Sequence, residues 1–189
     1  MNIILASGSP RRRELLSMLG LSFTVQPAKG EEKAAEGLSP DELVCALAEG
    51  KAKEVSLRAD ADNMIIAADT IVWHEGTVFG KPKSEEDARR MLESLSGACH
   101  SVYTGVCIIK DGVCLSRAEC TKVRFKELSA EEISAYIATG EPMDKAGAYG
   151  IQGKASVFVE GIEGDYFNVM GLPLCRLGKM LNELGVSLL

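Results

Sequence analysis

Three consecutive arginines stand where a predicted helix begins, namely Arg11, Arg12 and Arg13. Ser9 is suited to cap this helix, and Pro10 is suited to its first position. Because the positive end of a helix dipole disfavours cations, stability alone would favour acidic residues there. Backbone N–H groups and guanidinium groups together form a good phosphate site. The sequence therefore predicts an anion site, with a solvated basic face as the alternative.

Other charged residues could act together with these arginines. They are the basic residues Lys51, Lys81 and Lys145 and the acidic residues Glu32, Asp69 and Asp144. Hydrolysis of a phosphoanhydride needs two kinds of group. Cations neutralise the phosphate oxygens, and carboxylates hold a hard divalent ion and orient water. The composition leaves open which anhydride this would be.

Asp69 lies within the most apolar stretch of the chain, residues 64–73, which predicts a central strand buried on both faces. A buried carboxylate destabilises the fold unless it is paired or bound to a cation. Asp69 is therefore a functional candidate, and a structurally satisfied buried acid is the alternative. Lys51 lies on the apolar face of its predicted helix, where a lysine that extends to solvent is the alternative.

Several common catalytic patterns are missing from the sequence. It contains no G-x-x-x-x-G-K-[ST], no D-x-D-x-T and no G-x-S-x-G. Gly147, Gly150 and Gly153 have the wrong spacing for a dinucleotide fingerprint. His74 and His100 are isolated, so a zinc site of Cys and His residues is not expected.

Length and composition predict one soluble domain over residues 1–189. The net charge of −6 argues against broad binding to nucleic acid or to an anionic membrane. We expect no membrane span and no signal peptide, because the apolar runs are too short and the N-terminus enters a strand directly. Six cysteines without a tight framework indicate reduced thiols and a cytoplasmic location.

Periodicity predicts strands that alternate with helices, an α/β class whose sheet is mixed because it includes an antiparallel hairpin. The hairpin turn is predicted at Asp111-Gly112, and a second turn at Glu75-Gly76. Strands are predicted at 2–6, 21–26, 64–73, 78–79, 101–110, 113–125 and 155–160. Helices are predicted at 10–19, 40–58, 84–95, 129–139 and 172–184. The glycine-rich segment 139–153 is predicted to be a functional loop, and 164–170 a turn or a strand.

Five motifs, taken together, resemble the Maf family of nucleotide pyrophosphatases over the whole chain. They are ASGSPRR at 6–12, AADT at 67–70, GKP at 80–82, GEPMDKAGAYGIQG at 140–153 and GLPL at 171–174. The resemblance implies a mixed, strongly bent sheet flanked by helices, with a central cleft between two lobes, similar to inosine-triphosphate pyrophosphatase. It also implies a homodimer.

The resemblance further implies a house-cleaning hydrolase that uses Mg²⁺ or Mn²⁺ to convert a nucleoside triphosphate to the monophosphate and pyrophosphate. The segment 144–153 is similar to the branch that acts on dTTP and UTP. Substrate-binding positions of the family match Ser9, Arg11, Arg12, Lys51, Lys81 and Gln152. Asp69 matches the family's proposed base. Asp69 and Glu32 match its metal site, although the neighbouring Glu31 could occupy the acidic position in place of Glu32. Arg13 is expected to be on the surface.

The sequence leaves two other functions open. The first is a non-catalytic, nucleotide-sensing protein linked to septum formation and cell division. The second is a small-molecule phosphatase that releases single phosphates. Asp69 could be the base, a metal ligand or both.

Overall fold

The computed structural model describes residues 2–30 and 37–188. Their backbone forms two compact units. The first unit comprises the described residues of Met1–Asp69, Thr104–Glu119 and Gly171–Leu189. The second comprises Thr70–Tyr103 and Cys120–Met170. In the described part of the chain, no helix is long and apolar enough to cross a membrane.

Strands and helices alternate along most of the chain, as predicted. The strands are β1 Asn2–Leu5, β2 Phe23–Val25, β3 Asn63–His74, β4 Thr77–Phe79, β5 Cys99–Lys110, β6 Val113–Phe125 and β7 Val159–Glu163. The α-helices are α1 Pro10–Ser17, α2 Pro40–Ser56, α3 Glu85–Leu95, α4 Ala130–Ile137, α5 Tyr166–Met170 and α6 Leu174–Glu183. Short 3₁₀ helices span Glu141–Asp144, Ala146–Ala148 and Lys154–Phe158.

The described strands form one seven-stranded sheet in the order β2-β1-β3-β5-β6-β7, with β4 paired to β3. Strand β1 pairs in parallel with β2 and β3, whereas the β3–β4 and β6–β7 pairs are antiparallel. This arrangement confirms the predicted mixed α/β class. The strong bend and the cleft stay predictions, as does the single domain.

Both predicted hairpin turns are present. Asp111 and Gly112 have φ values of 51° and 78°, and Glu75 and Gly76 have 47° and 80°. Positive φ at both central residues is the geometry of a type I′ turn, whose twist matches that of the strands it joins. The turn residues therefore explain why β3 continues into β4 and why β5 continues into β6.

The core of the first unit lies between the sheet and helix α2. Ala48 and Ala52, one helical turn apart, are fully buried and belong to the same apolar cluster as Ile4 and Ile65 of the sheet. Small side chains on one face of a helix let its backbone approach a neighbouring sheet closely. This spacing explains how α2 packs against the strands.

The core of the second unit is aromatic. The ring of Phe125 contacts those of His100, Tyr149 and Phe158, with centroid separations of 4.9, 4.7 and 6.1 Å, all edge to face. The Nε2 atom of His100 lies 2.8 Å from the hydroxyl of Tyr149. The Nδ1 atom of His100 has no hydrogen-bond partner among the described residues. Burial, and to a lesser degree the charge of His74, lowers the pKa of His100 to about 3.

Most predicted elements shift by one or two residues at their ends, and two further segments have a different structure from the one predicted. Helix α1 ends at Ser17, two residues early. The predicted strand 155–160 is wrong for most of its length, since Lys154–Phe158 is a 3₁₀ helix. Its buried residues Ala155 and Phe158 are three apart, which is the repeat of a 3₁₀ helix and not of a strand.

The segment 164–170, predicted to be a turn or a strand, contains the short helix α5. The buried side chain of Asn168 donates hydrogen bonds to the carbonyl of Val102 and to the hydroxyl of Thr121, each 3.0 Å long. Isolated helices of this length are unstable in water. Bonds to distant strands therefore stabilise α5, and no local pattern could have predicted them.

The buried, neutral His100 should make the fold sensitive to acid. Its pKa is lowered from 6.5 to about 3 on folding, so below pH 6.5 the unfolded chain binds a proton that the folded chain does not. This difference should lower the free energy of unfolding by about 2 kcal/mol between pH 7 and pH 5. His100→Gln, which can still bond to Tyr149, should flatten that part of the pH dependence in urea titrations.

The matched control is His74→Gln, which changes the other histidine of the chain. This variant should keep most of the pH dependence of the wild type. An unchanged slope in His100→Gln would contradict the prediction.

Candidate active site

The start of α1 has the predicted cap. Ser9 has extended φ and ψ angles of −71° and 120°, and its hydroxyl accepts a 3.5 Å hydrogen bond from the backbone N–H of Arg12. Pro10 occupies the first helical position. The helix begins soon after β1 ends at Leu5, so its positive end lies at the carboxyl edge of the parallel strands.

The three arginines differ in their surroundings. Arg13 is exposed, as predicted, whereas Arg11 and Arg12 are half-buried. The Nε of Arg12 donates a 2.7 Å hydrogen bond to the carbonyl of Gly171, and its Nη1 donates one of 3.3 Å to the hydroxyl of Ser7. These bonds hold the guanidinium plane in one orientation. They also join the ASGSPRR motif to the GLPL motif, 159 residues later.

Asp69 and Lys51 form an ion pair in the first unit. Asp69 is only 6% exposed on β3, and the side chain of Lys51, on α2, is 16% exposed. Lys51 therefore does not extend into solvent, which was the alternative raised by its sequence position. The pairing offsets the cost of burying two charges, because each charge replaces part of the other's lost hydration.

A close backbone contact between α2 and strand β5 fixes the position of α2 and therefore of Lys51. A Cβ atom placed on Gly105 of β5 would lie 2.2 Å from the carbonyl oxygen of Val44 and 2.7 Å from the amide nitrogen of Cys45. Both of these residues belong to α2. Only glycine permits this approach, since real Cβ atoms do not come within 3.0 Å of other heavy atoms.

In the second unit, the GKP motif contacts the glycine-rich segment. The backbone N–H of Gly147 donates a 3.0 Å hydrogen bond to the carbonyl of Gly80. Gly147 has a φ of 68°, and a Cβ there would lie 2.7 Å from Cγ2 of Val72. The two motifs are thus held together against β3, and both Lys81 and Gln152 are exposed.

Glu141 organises the rest of the glycine-rich segment. Its carboxylate accepts hydrogen bonds of 3.1 Å from the hydroxyl of Tyr136 and from the backbone N–H of Lys154. A Cβ on Gly153 would lie 1.9 Å from Oε1 of Glu141. The ammonium of Lys145 donates a 2.7 Å hydrogen bond to the backbone carbonyl of Glu141. This glutamate therefore holds both ends of the segment that carries Gln152.

The hydroxyl of Tyr136 also acts as an acceptor, from the backbone N–H of Gly150 at 3.3 Å. Burial, followed by the negative charge of Glu141, raises the pKa of Tyr136. The phenol therefore stays protonated and can donate to Glu141 while it accepts from Gly150. Sequence reasoning missed this network, although Glu141 stands within the GEPMD part of a recognised motif.

The structure thus places the predicted site residues in two groups. Ser9, Arg11, Arg12, Lys51 and Asp69 belong to the first unit, and Lys81 and Gln152 to the second. Glu32 and its neighbour Glu31 lie outside the described residues.

Asp69 is the buried acid to consider for a divalent cation. Across residues 2–30 and 37–188 there is no group of three or more His, Cys, Asp or Glu residues suited to a metal ion. Mg²⁺ is commonly bound by one or two carboxylates together with substrate phosphates and water, and not by a complete protein cage. A single buried carboxylate such as Asp69 is compatible with an ion whose other ligands are phosphate oxygens and water.

Comparisons with known proteins agree with the motifs. The family model described as Maf-like protein matches residues 2–184. A dTTP/UTP pyrophosphatase from Moorella thermoacetica is 50% identical over 190 residues, covering 98% of this chain and 96% of the relative. A dTTP/UTP pyrophosphatase from Bacillus cereus is 48% identical over 185 residues, covering 98% of this chain and 91% of the relative.

Among solved structures, a HAM1 protein from Coxiella burnetii is similar, with a TM-score of 0.55 and 15% identity. The alignment covers 97% of this chain and 99% of the HAM1 chain. At that identity the likeness concerns the fold alone.

The contact at Gly105 predicts a large difference between two glycine substitutions. Gly105→Ala should lower the free energy of unfolding by about 3 kcal/mol or more, because the new methyl group would overlap the backbone of α2. Gly50→Ala should raise it by about 0.5–1 kcal/mol, since Gly50 lies within α2 with no atom near its Cβ position. Urea unfolding of both variants measures the difference, and equal stabilities would exclude the proposed backbone contact.

The hydrogen bonds of Glu141 predict a local effect. Glu141→Gln should lower the free energy of unfolding by about 1–3 kcal/mol. A glutamine amide has one oxygen, so it cannot accept hydrogen bonds from both the hydroxyl of Tyr136 and the backbone N–H of Lys154 in the way that the two carboxylate oxygens do. Hydrogen exchange should quicken in residues 145–154 and stay unchanged in α2. As a control, Glu163→Gln removes an exposed carboxylate 3.7 Å from Lys122 and should change little. Uniform exchange rates in Glu141→Gln would contradict the assigned role.

Proposed function

This chain belongs to the Maf family, and we propose from that premise that it hydrolyses dTTP and UTP to the nucleoside monophosphate and pyrophosphate. The observation that carries the proposal is 48–50% identity to dTTP/UTP pyrophosphatases over 98% of the chain. The buried ion pair of Asp69 and Lys51 supports it, since it presents an oriented carboxylate within a recognised motif.

In this proposal, the start of α1 binds phosphate oxygens. Arg11 and Arg12 provide guanidinium donors, and Ser9 and the first backbone N–H groups of the helix add neutral ones. The hydrogen bonds of Arg12 to Gly171 and Ser7 hold it ready before substrate arrives. Lys81 and Gln152 are proposed as further substrate-binding residues, on the resemblance to the family.

Asp69 is the proposed general base. It would take a proton from the water that attacks the α-phosphorus, while the bond from that phosphorus to the bridging oxygen breaks and pyrophosphate leaves. The ion pair places the ammonium of Lys51 beside this base, where it can also neutralise a phosphate oxygen. Arginine and lysine side chains stabilise the charge that develops on the leaving group.

A divalent cation, Mg²⁺ or Mn²⁺, is part of the proposal. Asp69 would hold it, together with Glu32, which lies outside the described residues. When bound, such an ion neutralises phosphate charge and makes a water molecule more acidic.

A cytoplasmic location is also proposed, because the six free thiols of the chain suit a reducing compartment. The homodimer is proposed on the family resemblance, and its mass in solution tests it.

One observation also fits a second function. The carboxylate of Asp69 is paired with Lys51, as it would be in a purely structural role. A nucleotide-sensing protein without turnover, linked to septum formation, would keep the same ion pair. The two functions differ in whether bound UTP or dTTP is converted to products.

Asp69→Asn should lower kcat for UTP hydrolysis by about 10²–10⁴-fold, because the amide cannot accept a proton from water. The thermal midpoint should fall, because the largely buried ammonium of Lys51 loses its charged partner, so turnover is measured at a temperature at which the variant is folded. The assay measures UMP and pyrophosphate with added MgCl₂, in water enriched in ¹⁸O. Attack at the α-phosphorus should place the label in UMP.

The control is Asp111→Asn, at an exposed turn position with positive φ that asparagine also tolerates. It should keep wild-type activity. Full turnover in a folded Asp69→Asn variant would exclude the base role. Nucleotide binding without any turnover by the wild type would favour the sensor, and release of orthophosphate would favour a phosphatase.

A further inference from the structure

Two cysteines that the proposed reaction does not use lie against each other in the first unit. The Sγ atoms of Cys107, on β5, and Cys114, on β6, are 3.6 Å apart. A disulfide requires about 2 Å between the sulfurs, so the two atoms would have to approach by about 1.6 Å. The hairpin that joins β5 to β6 therefore holds two thiols as neighbours.

The two thiols have opposite environments. Cys107 is fully buried, in the same apolar cluster as Ala48 and Ala52 of α2. Cys114 is exposed on the neighbouring strand. A reagent from solution can therefore reach Cys114 directly, whereas Cys107 is closed to solvent and lies beside the sulfur of Cys114.

The order of reaction also follows from burial. Burial, and then the neighbouring Cys114, raises the pKa of Cys107, which keeps that thiol protonated.

We propose that Cys114 and Cys107 form a peroxide-reactive dithiol site, in which exposed Cys114 reacts first and buried Cys107 closes the disulfide. The thiolate of Cys114 attacks one oxygen of a hydroperoxide, so that an S–O bond forms, the O–O bond breaks and hydroxide or alkoxide leaves. The sulfur of Cys107 then attacks the sulfenic sulfur and loses its proton, and water leaves. The two thiols lose two electrons in total, and the peroxide gains them.

The inference does not depend on nucleotide hydrolysis, and it is tested without an activity assay. The full-length protein is reduced, freed of reductant and treated with one equivalent of hydrogen peroxide, and the remaining thiols are alkylated. Mass spectrometry should find two of the six cysteines protected, and reduction should release them. Trypsin cuts after Lys110, between the two residues, so the disulfide joins two separate peptides.

We expect the Cys107–Cys114 disulfide to form at least about tenfold faster than any other, because the two thiols are already held together. Cys114→Ser should abolish it. Cys120→Ser, which removes another exposed thiol of β6, should retain it. Cys107→Ala should leave Cys114 as a sulfenic acid that dimedone labels, since its partner is gone.

Three results would overturn the proposal. They are alkylation of all six cysteines after peroxide treatment, a disulfide that joins two chains through Cys114, and equal rates of disulfide formation in the Cys114→Ser and Cys120→Ser variants. Because Cys114 is exposed, its serine variant should fold even if the change at buried Cys107 does not. The comparison of the two surface variants, together with the mass of the oxidised protein as a single chain, therefore decides the question.

Discussion

The ion pair between Lys51 and Asp69 constrains how the first unit packs. Two opposite charges sit at largely buried positions on α2 and β3, and each destabilises the fold if the other is displaced. Helix α2 must therefore stay in one position against the sheet. The small residues Ala48 and Ala52, together with the missing side chain of Gly105, allow that position.

The second unit is ordered by a different kind of contact. Here glycines bring the backbone close to fixed partners, as Gly153 does to the carboxylate of Glu141 and Gly147 does to Val72. The hydroxyl of Tyr136 links the carboxylate to the loop backbone. A segment whose composition is typical of a flexible loop is thus held by specific polar contacts, which is the condition for positioning Gln152.

Local chemistry predicted much of the fold. Ser9 and Pro10 specify the start of α1, and Asp111-Gly112 specifies a hairpin, because capping and turn geometry depend on adjacent residues. Predictions were wrong where distant groups decide the backbone. Lys154–Phe158 is helical because Ala155 and Phe158 are both buried, and α5 exists through the bonds of Asn168 to other strands.

The sequence by itself determined which residues are unusual: the arginines at a helix start, an aspartate in an apolar strand and the motifs shared with the family. It also determined the α/β class, through periodicity. Only the tertiary structure decided that Lys51 pairs with Asp69 and that Arg12 bonds to Gly171. These contacts depend on how packed elements bring together residues that are separated along the chain, and spacing in a sequence does not encode those distances.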